Sequence, residues 1–199
     1  MEVLSMLKRV WINEKHSPEI LEYQEELVDF LMTEIKRVET ATERLEGGDI
    51  GNHQLGQLYN MDLDRLKFLL KSYLRARLFK IERKALFIAS NSEYLSRLSV
   101  HEKKYVNSYC DQLGQHLEKS FLGAIPEKLR SLTEKNAEVN MIGGPNTSSF
   151  IVTQAVEDIG DLKLSEDSDE IITMKAGDIC AVRYAPLSTL IADGTVQIL

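Results

Sequence analysis

The feature that most constrains this 199-residue chain is a change of hydrophobic period near residue 140. Before it, apolar residues recur at steps of three and four, the spacing of amphipathic helices. After it come short β-branched runs separated by turn residues, the pattern of strands. The two patterns predict an α+β chain: a helical domain over residues 1–135, a linker over 136–148 and a small β domain over 149–199.

In the helical part, Leu4, Leu7, Val10 and Trp11 share one side of a short first helix over residues 3–12. Ser17 suits an N-cap and Pro18 a first helical position, so a second helix is expected to start there. It should stop at Gly47-Gly48, with Ile20, Leu27, Leu31, Ile35, Val38 and Leu45 on its apolar stripe. A third helix is expected over about 55–87. The stretch from Asn91 to Ser99 separates it from a fourth that starts at about Val100 and has Gly114 as a candidate break. Leu129 and Leu132 suggest one more helical turn. In the C-terminal part, strands are expected at 150–152, 171–174, 179–184 and 195–199, with a turn at Lys175-Ala176-Gly177-Asp178 and a helical turn from Pro186 to Ala192. The apolar ending Val196-Gln197-Ile198-Leu199 argues for a buried last strand, because chain ends ordinarily fray in water.

The third helix faces two ways. At about 100° per residue, Leu66, Leu69, Leu70, Tyr73, Leu74, Ile81 and Ala85 form one stripe, whereas Phe68 and Phe79 lie on the opposite side with Ser72 and Arg75. Such a helix is either central in its own bundle or shared with a partner. Arg77 sits within the main stripe. Buried there it needs a carboxylate, from this chain or a partner, unless its stem packs while its head reaches water. Trp11 is a candidate for either core or interface.

Charge and motif content narrow the function. The net charge is −7, of which residues 141–199 carry −6 (3 basic, 9 acidic). An acidic end repels phosphate, so direct DNA contact through it is not expected. Eight basic residues lie between Arg65 and Lys84, and a nucleic-acid-binding module built on them is the alternative reading. They spread around the helix, however, rather than lining one face. His16, His53, His101 and His116 have no metal-ligand spacing, Cys110 and Cys180 form no CxxC pair, and no phosphate loop is present. The acids between Glu157 and Glu170 read as a solvated loop. No catalytic, cofactor or metal residues are assigned, and no cofactor or enzyme activity is expected. No apolar run approaches the roughly 20 residues that span a bilayer. Two unpaired cysteines without a basic-then-apolar leader suggest an intracellular protein.

Three stretches together resemble a known family. Trp11-Ile12-Asn13-Glu14-Lys15-His16-Ser17-Pro18-Glu19-Ile20-Leu21 is similar to a W-x-N-E-K-x-x-P-E-L-L start. Tyr73-Leu74-Arg75-Ala76-Arg77-Leu78-Phe79-Lys80-Ile81-Glu82 is similar to a Y-L-R-x-R-L-x-K-I-E helix. Arg183-Tyr184, followed by Gly194-Thr195-Val196-Gln197-Ile198-Leu199, is similar to an R-Y…G-x-V-Q-L ending. In this order they resemble the Sld-five subunit family of the GINS complex. The resemblance implies a non-enzymatic, nuclear scaffold subunit. Its partners would be three other GINS subunits and, through the assembled complex, the MCM ring and the Cdc-forty-five protein of the replicative helicase. Known members often carry a longer extension before the tryptophan, used by some to contact a replisome hub protein; here ten residues precede Trp11.

The candidate assembly residues are Trp11, Phe68, Arg75, Arg77, Phe79, Tyr184, Val196, Ile198 and Leu199. Because Arg77 lies within the stripe and Lys71 outside it, Arg77→Ala should weaken assembly more than Lys71→Ala. Co-purification of the two variants with partner subunits checks this.

Overall fold

The computed structural model describes residues 2–46, 50–126, 130–132, 142–164 and 171–199. A mostly helical N-terminal region holds α1 (Glu2–His16), α2 (Glu25–Glu46), α3 (Ile50–Arg83), α4 (Ala85–Ser90), α5 (Ser92–Ser96) and α6 (Val100–Ser120). A small C-terminal region holds β1 (Phe150–Ala155), β2 (Gly160–Lys163), β3 (Ile171–Met174), β4 (Ile179–Arg183), α7 (Ser188–Asp193) and β5 (Val196–Ile198). Two compact units result: Met1–Lys15 with Gln24–Ala76, and His16–Tyr23 with Arg77–Leu199.

In the first unit, α1 buries Leu7 and α2 buries Val28, Leu31, Ile35 and Thr42 along one stripe. On α3, Leu63, Leu70 and Tyr73 are buried. Their spacings of seven and three match one face of a helix. The Tyr73 hydroxyl accepts the backbone N–H of Gln24 at 3.5 Å, and Lys67 pairs with Glu39 at 2.7 Å.

In the second unit, Ile81, Ile88, Leu98 and Val106 build a helical core together with Ile20. Helix α6 starts at a capping box. Ser99 Oγ accepts the Glu102 backbone N–H, and the Glu102 carboxylate accepts the Ser99 N–H at 2.9 Å. The same carboxylate takes the Arg77 guanidinium in a two-pronged pair, Nε to Oε1 at 2.8 Å and Nη2 to Oε2 at 3.0 Å. Arg77 is wholly buried and donates further to the carbonyls of Leu21 (2.8 Å) and Arg97 (3.1 Å). Its acid therefore comes from this chain.

The sheet region of this unit has a three-stranded antiparallel sheet ordered β4-β1-β5 and a separate β2-β3 hairpin. In β1, Ile151, Thr153 and Ala155 turn inward, while Phe150 and Val152 are exposed. Val182, Tyr184, Leu187, Ile191, Val196 and Ile198 complete the core with Ile151. The last strand is inserted beside β1, Thr153 opposite Ile198 and Ala155 opposite Val196. Gly177 takes φ +90° in the Lys175–Asp178 turn, a conformation open to glycine because it lacks Cβ.

Several expectations are corrected. No helix starts at Ser17-Pro18, since α1 runs to His16 and α2 begins at Glu25. Ser17 Oγ is engaged elsewhere, donating to the Glu19 carbonyl and accepting Lys80 Nζ at 2.7 Å. Its tertiary bonds replace the capping bond. The third helix breaks at Lys84 (φ −127°, ψ 23°) with α4 following it, and α5 occupies Ser92–Ser96 within the stretch expected only to separate the third and fourth helices. Helix α6 passes through Gly114 unbroken, the cost of about 1 kcal/mol for an interior glycine being met by the rest of the helix. The β2 strand lies within the acidic stretch read as a loop, where Asp161 accepts the Thr173 hydroxyl at 2.6 Å. The Gly47-Gly48 stop, Leu129, positions 136–141 of the expected linker and 165–170 of the acidic stretch lie outside the described residues.

Replacing Glu102 by alanine strands the Arg77 charge and unsatisfies the Ser99 cap. The expected cost is about 3–5 kcal/mol, against about 1 kcal/mol for Ser99→Ala. Urea unfolding followed by circular dichroism measures both.

Candidate subunit-interface residues

The candidate residues are exposed, buried or, in the case of Trp11, half-buried. Phe68 on α3 is 63% exposed, and Arg75 is exposed on the same helix. Phe79 is 57% exposed, with the Arg83 guanidinium 5.0 Å from its ring centroid. Leu199 is exposed, although its N–H is donated to the Val152 carbonyl. In contrast, Arg77, Tyr184, Val196 and Ile198 are buried within the chain. Trp11 is half-buried: its Nε1–H is donated to Ser72 Oγ at 2.9 Å, and Lys15 Nζ lies 5.2 Å from its ring centroid. Within the first unit, Phe68 has exposed apolar company. Leu58 and Met61 are open on α3, as are Phe30 and Met32 on α2.

Tyr184 leads to a feature that the spacing of residues did not reveal. The segment 17–23 between α1 and α2 is a strap without helix or strand. Its Glu19, 7% exposed, is the meeting point of three donors. Tyr184 donates to Oε1 at 2.6 Å and Tyr94 to Oε2 at 2.7 Å, and Arg97 pairs with Oε2 at 3.1 Å. Lys80 Nζ donates to the Glu19 carbonyl at 2.8 Å. A buried carboxylate is tolerable when its lone pairs are filled by charge-assisted hydrogen bonds, as here. Burial, reinforced by the hydrogen bond to Glu19, pushes the Tyr94 hydroxyl up to about 12.

Among the described residues, no cluster of histidine, cysteine, aspartate or glutamate could hold a metal ion, and no buried side-chain nitrogen or oxygen lacks a hydrogen-bond partner. No described helix is long and apolar enough to cross a membrane.

Comparison with known proteins identifies the family. Residues 20–121 match the family model of the GINS complex protein helical bundle domain, and residues 145–199 match that of the DNA replication complex GINS protein SLD5 C-terminus. The chain is 35% identical to the DNA replication complex GINS protein SLD5 of Arabidopsis thaliana, across 98% of this chain and 90% of the relative. It is 30% identical to that of Schizosaccharomyces pombe, across 95% and 88%, and 27% identical to that of Mus musculus, across 100% and 89%. The chain belongs to the SLD5 family of GINS proteins.

That membership places the chain among proteins of DNA replication, and neither matched SLD5 model describes a catalytic family. The residues that sequence reasoning passed over in this SLD5 chain are Glu19, Lys80, Arg97 and Glu102. Glu102 had a readable signal, because Ser99-Val100-His101-Glu102 has the S-x-x-E form of a capping box. Glu19 had none beyond its place in the quoted Pro18-Glu19-Ile20-Leu21 stretch, since its partners lie 75 and 165 residues away.

A raised tyrosine favours the neutral, folded form, so its contribution to stability is complete below its ordinary value of 10.0 and fades as pH climbs through about 12. The unfolding midpoint should therefore fall over that window by more in the native chain than in Tyr94→Phe. Denaturant titrations at stepped alkaline pH compare the two.

Proposed function

We propose that this chain is a non-enzymatic scaffold subunit of a four-subunit GINS assembly. In the nucleus, that assembly joins the MCM ring and the Cdc-forty-five protein to form the active replicative helicase. Family membership supports the assembly, and one structural observation carries the scaffold role. Large apolar side chains stand exposed on regular helices, led by Phe68 at 63% and Leu58 at 61%. Scattered exposed hydrophobics are ordinary, but several on the faces of two helices of one unit mark a surface that another protein covers. Phe79 and Leu199, exposed in the second unit, are further candidates for such contacts.

The basic residues of α3 favour this role over nucleic-acid binding. Arg77 is consumed by Glu102, Lys67 by Glu39, Lys80 by Ser17 and the Glu19 carbonyl, and Lys84, just past the end of the helix, by the carbonyls of Gly143 and Gly144. A phosphate-binding face needs cations free to displace counterions.

Co-expression with three other GINS subunits should give a stable 1:1:1:1 product by size and stoichiometry. Phe68→Asp should abolish that product while leaving the helical content of the chain intact. Removing Val196 to Leu199 should also abolish it, through loss of the core strand β5. A monomer indifferent to those subunits, with steeply salt-dependent DNA binding, would overturn the proposal.

A further inference from the structure

The strap 17–23 places neighbouring residues in two different cores. Ile20 packs among Ile81, Ile88, Leu98 and Val106, which belong to the helical core. Leu21, next in the chain, packs against Ile151, Val182, Tyr184, Leu187 and their neighbours in the core of the sheet region. Glu19 repeats this division with polar groups. One carboxylate oxygen takes Tyr94 and Arg97 from the helical side, and the other takes Tyr184 from the sheet side. The backbone of the strap is clamped from the helical side. Lys80 donates to the Glu19 carbonyl, Arg97 to that of Ile20 and Arg77 to that of Leu21, and the Tyr23 N–H is donated to the Arg97 carbonyl.

From this asymmetry we infer that Glu19 and Leu21 form a latch that docks the sheet region on the helical core of its unit. The strap stays fixed while the Tyr184–Glu19 bond and the Leu21 contact open and close together. A second tie exists where the chain enters the sheet region. Lys84 Nζ donates to the carbonyls of Gly143 (3.1 Å) and Gly144 (2.9 Å), and Gly144 lies so near Phe87 that an added Cβ would sit 3.0 Å from that ring. That tie hangs on a lysine stem with four rotatable bonds, and its bond to Gly143 is exposed. The latch, by contrast, uses a charge-assisted phenol–carboxylate bond with both partners buried. Loss of a hydrogen bond to a charged group corresponds to an opened population larger on the order of tenfold or more.

The latch makes a prediction that a purely structural role for Glu19 does not. The sheet region should come off as a folded body, because its own strands pair with one another and its core closes with Val196 and Ile198. The test uses the full chain with Cys110 and Cys180 replaced by serine and spin labels at Lys104→Cys and Lys175→Cys, both exposed positions. Distances between the labels are measured by pulsed electron resonance, and amide exchange of β1 and β4 is followed in parallel. The parent should give a single narrow distance, and Tyr94→Phe and Lys84→Ala should keep it. Glu19→Ala and Tyr184→Phe should broaden it while the β1 and β4 amides stay protected. Should Glu19→Ala fail to fold, the milder Tyr184→Phe decides. A distance left narrow in Tyr184→Phe would overturn the inference. Loss of β1 and β4 protection in step with broadening would overturn it as well, since the sheet region would then be melting rather than undocking.

Discussion

Arg77 carries a permanent charge at a position with no exposure to water, and much of the second unit is arranged around satisfying it. The guanidinium is planar and forked, so it needs acceptors in defined directions rather than a diffuse negative environment. Glu102 accepts from Nε and Nη2, the Leu21 carbonyl accepts from Nη1, and the Arg97 carbonyl shares Nη2 with Glu102. The Tyr23 ring covers it, 5.2 Å from centroid to guanidinium carbon. Each acceptor comes from a different piece of chain: α6, the strap and the turn after α5. Satisfying a single side chain thus sets where three segments stand relative to the end of α3 that begins at Arg77. Glu102 is held in turn by the cap of its own helix. The start of α6 and the placement of the charge are consequently one structural event.

Glu19 extends the same logic. Burial of its carboxylate is offset by two phenols and a guanidinium, and the strap's carbonyls are taken by Lys80, Arg97 and Arg77. A non-helical segment packed between elements must find partners for its backbone outside any helix or strand ladder, because buried backbone groups left unpaired are costly. In this SLD5-family chain Arg77 and Lys80 of α3, together with Arg97, supply those partners.

Much of the architecture was legible beforehand. The switch from helical to strand periodicity, the last strand, the turn at Gly177 and the long third helix all follow from local patterns. The two apolar sides of α3 were legible too, with Phe68 and Phe79 left exposed opposite the buried stripe. Two of the errors share one cause. Ser17-Pro18 has the chemistry of a helix start, and the acidic stretch around Asp161 has the composition of a loop. In each case bonds to distant residues, Lys80 and Thr173, overrode the local preference. The candidate interface divided for the same reason. Spacing marks a residue as apolar or as lying within a stripe, but whether it faces its own core or open surface depends on what packs there.

The sequence by itself determined that the chain is a helical region followed by a small sheet region, and that Arg77, if buried, requires a carboxylate. Periodicity and the cost of a buried charge operate locally, and one chain segment suffices to state them. Tertiary structure alone decided that the carboxylate is Glu102. It also decided that Ile20 and Leu21 enter two different cores, and that Tyr184 reaches Glu19 across 165 positions. Those are pairings between distant segments. A single sequence records each partner's chemistry but not which of many compatible partners folding brings within hydrogen-bonding distance.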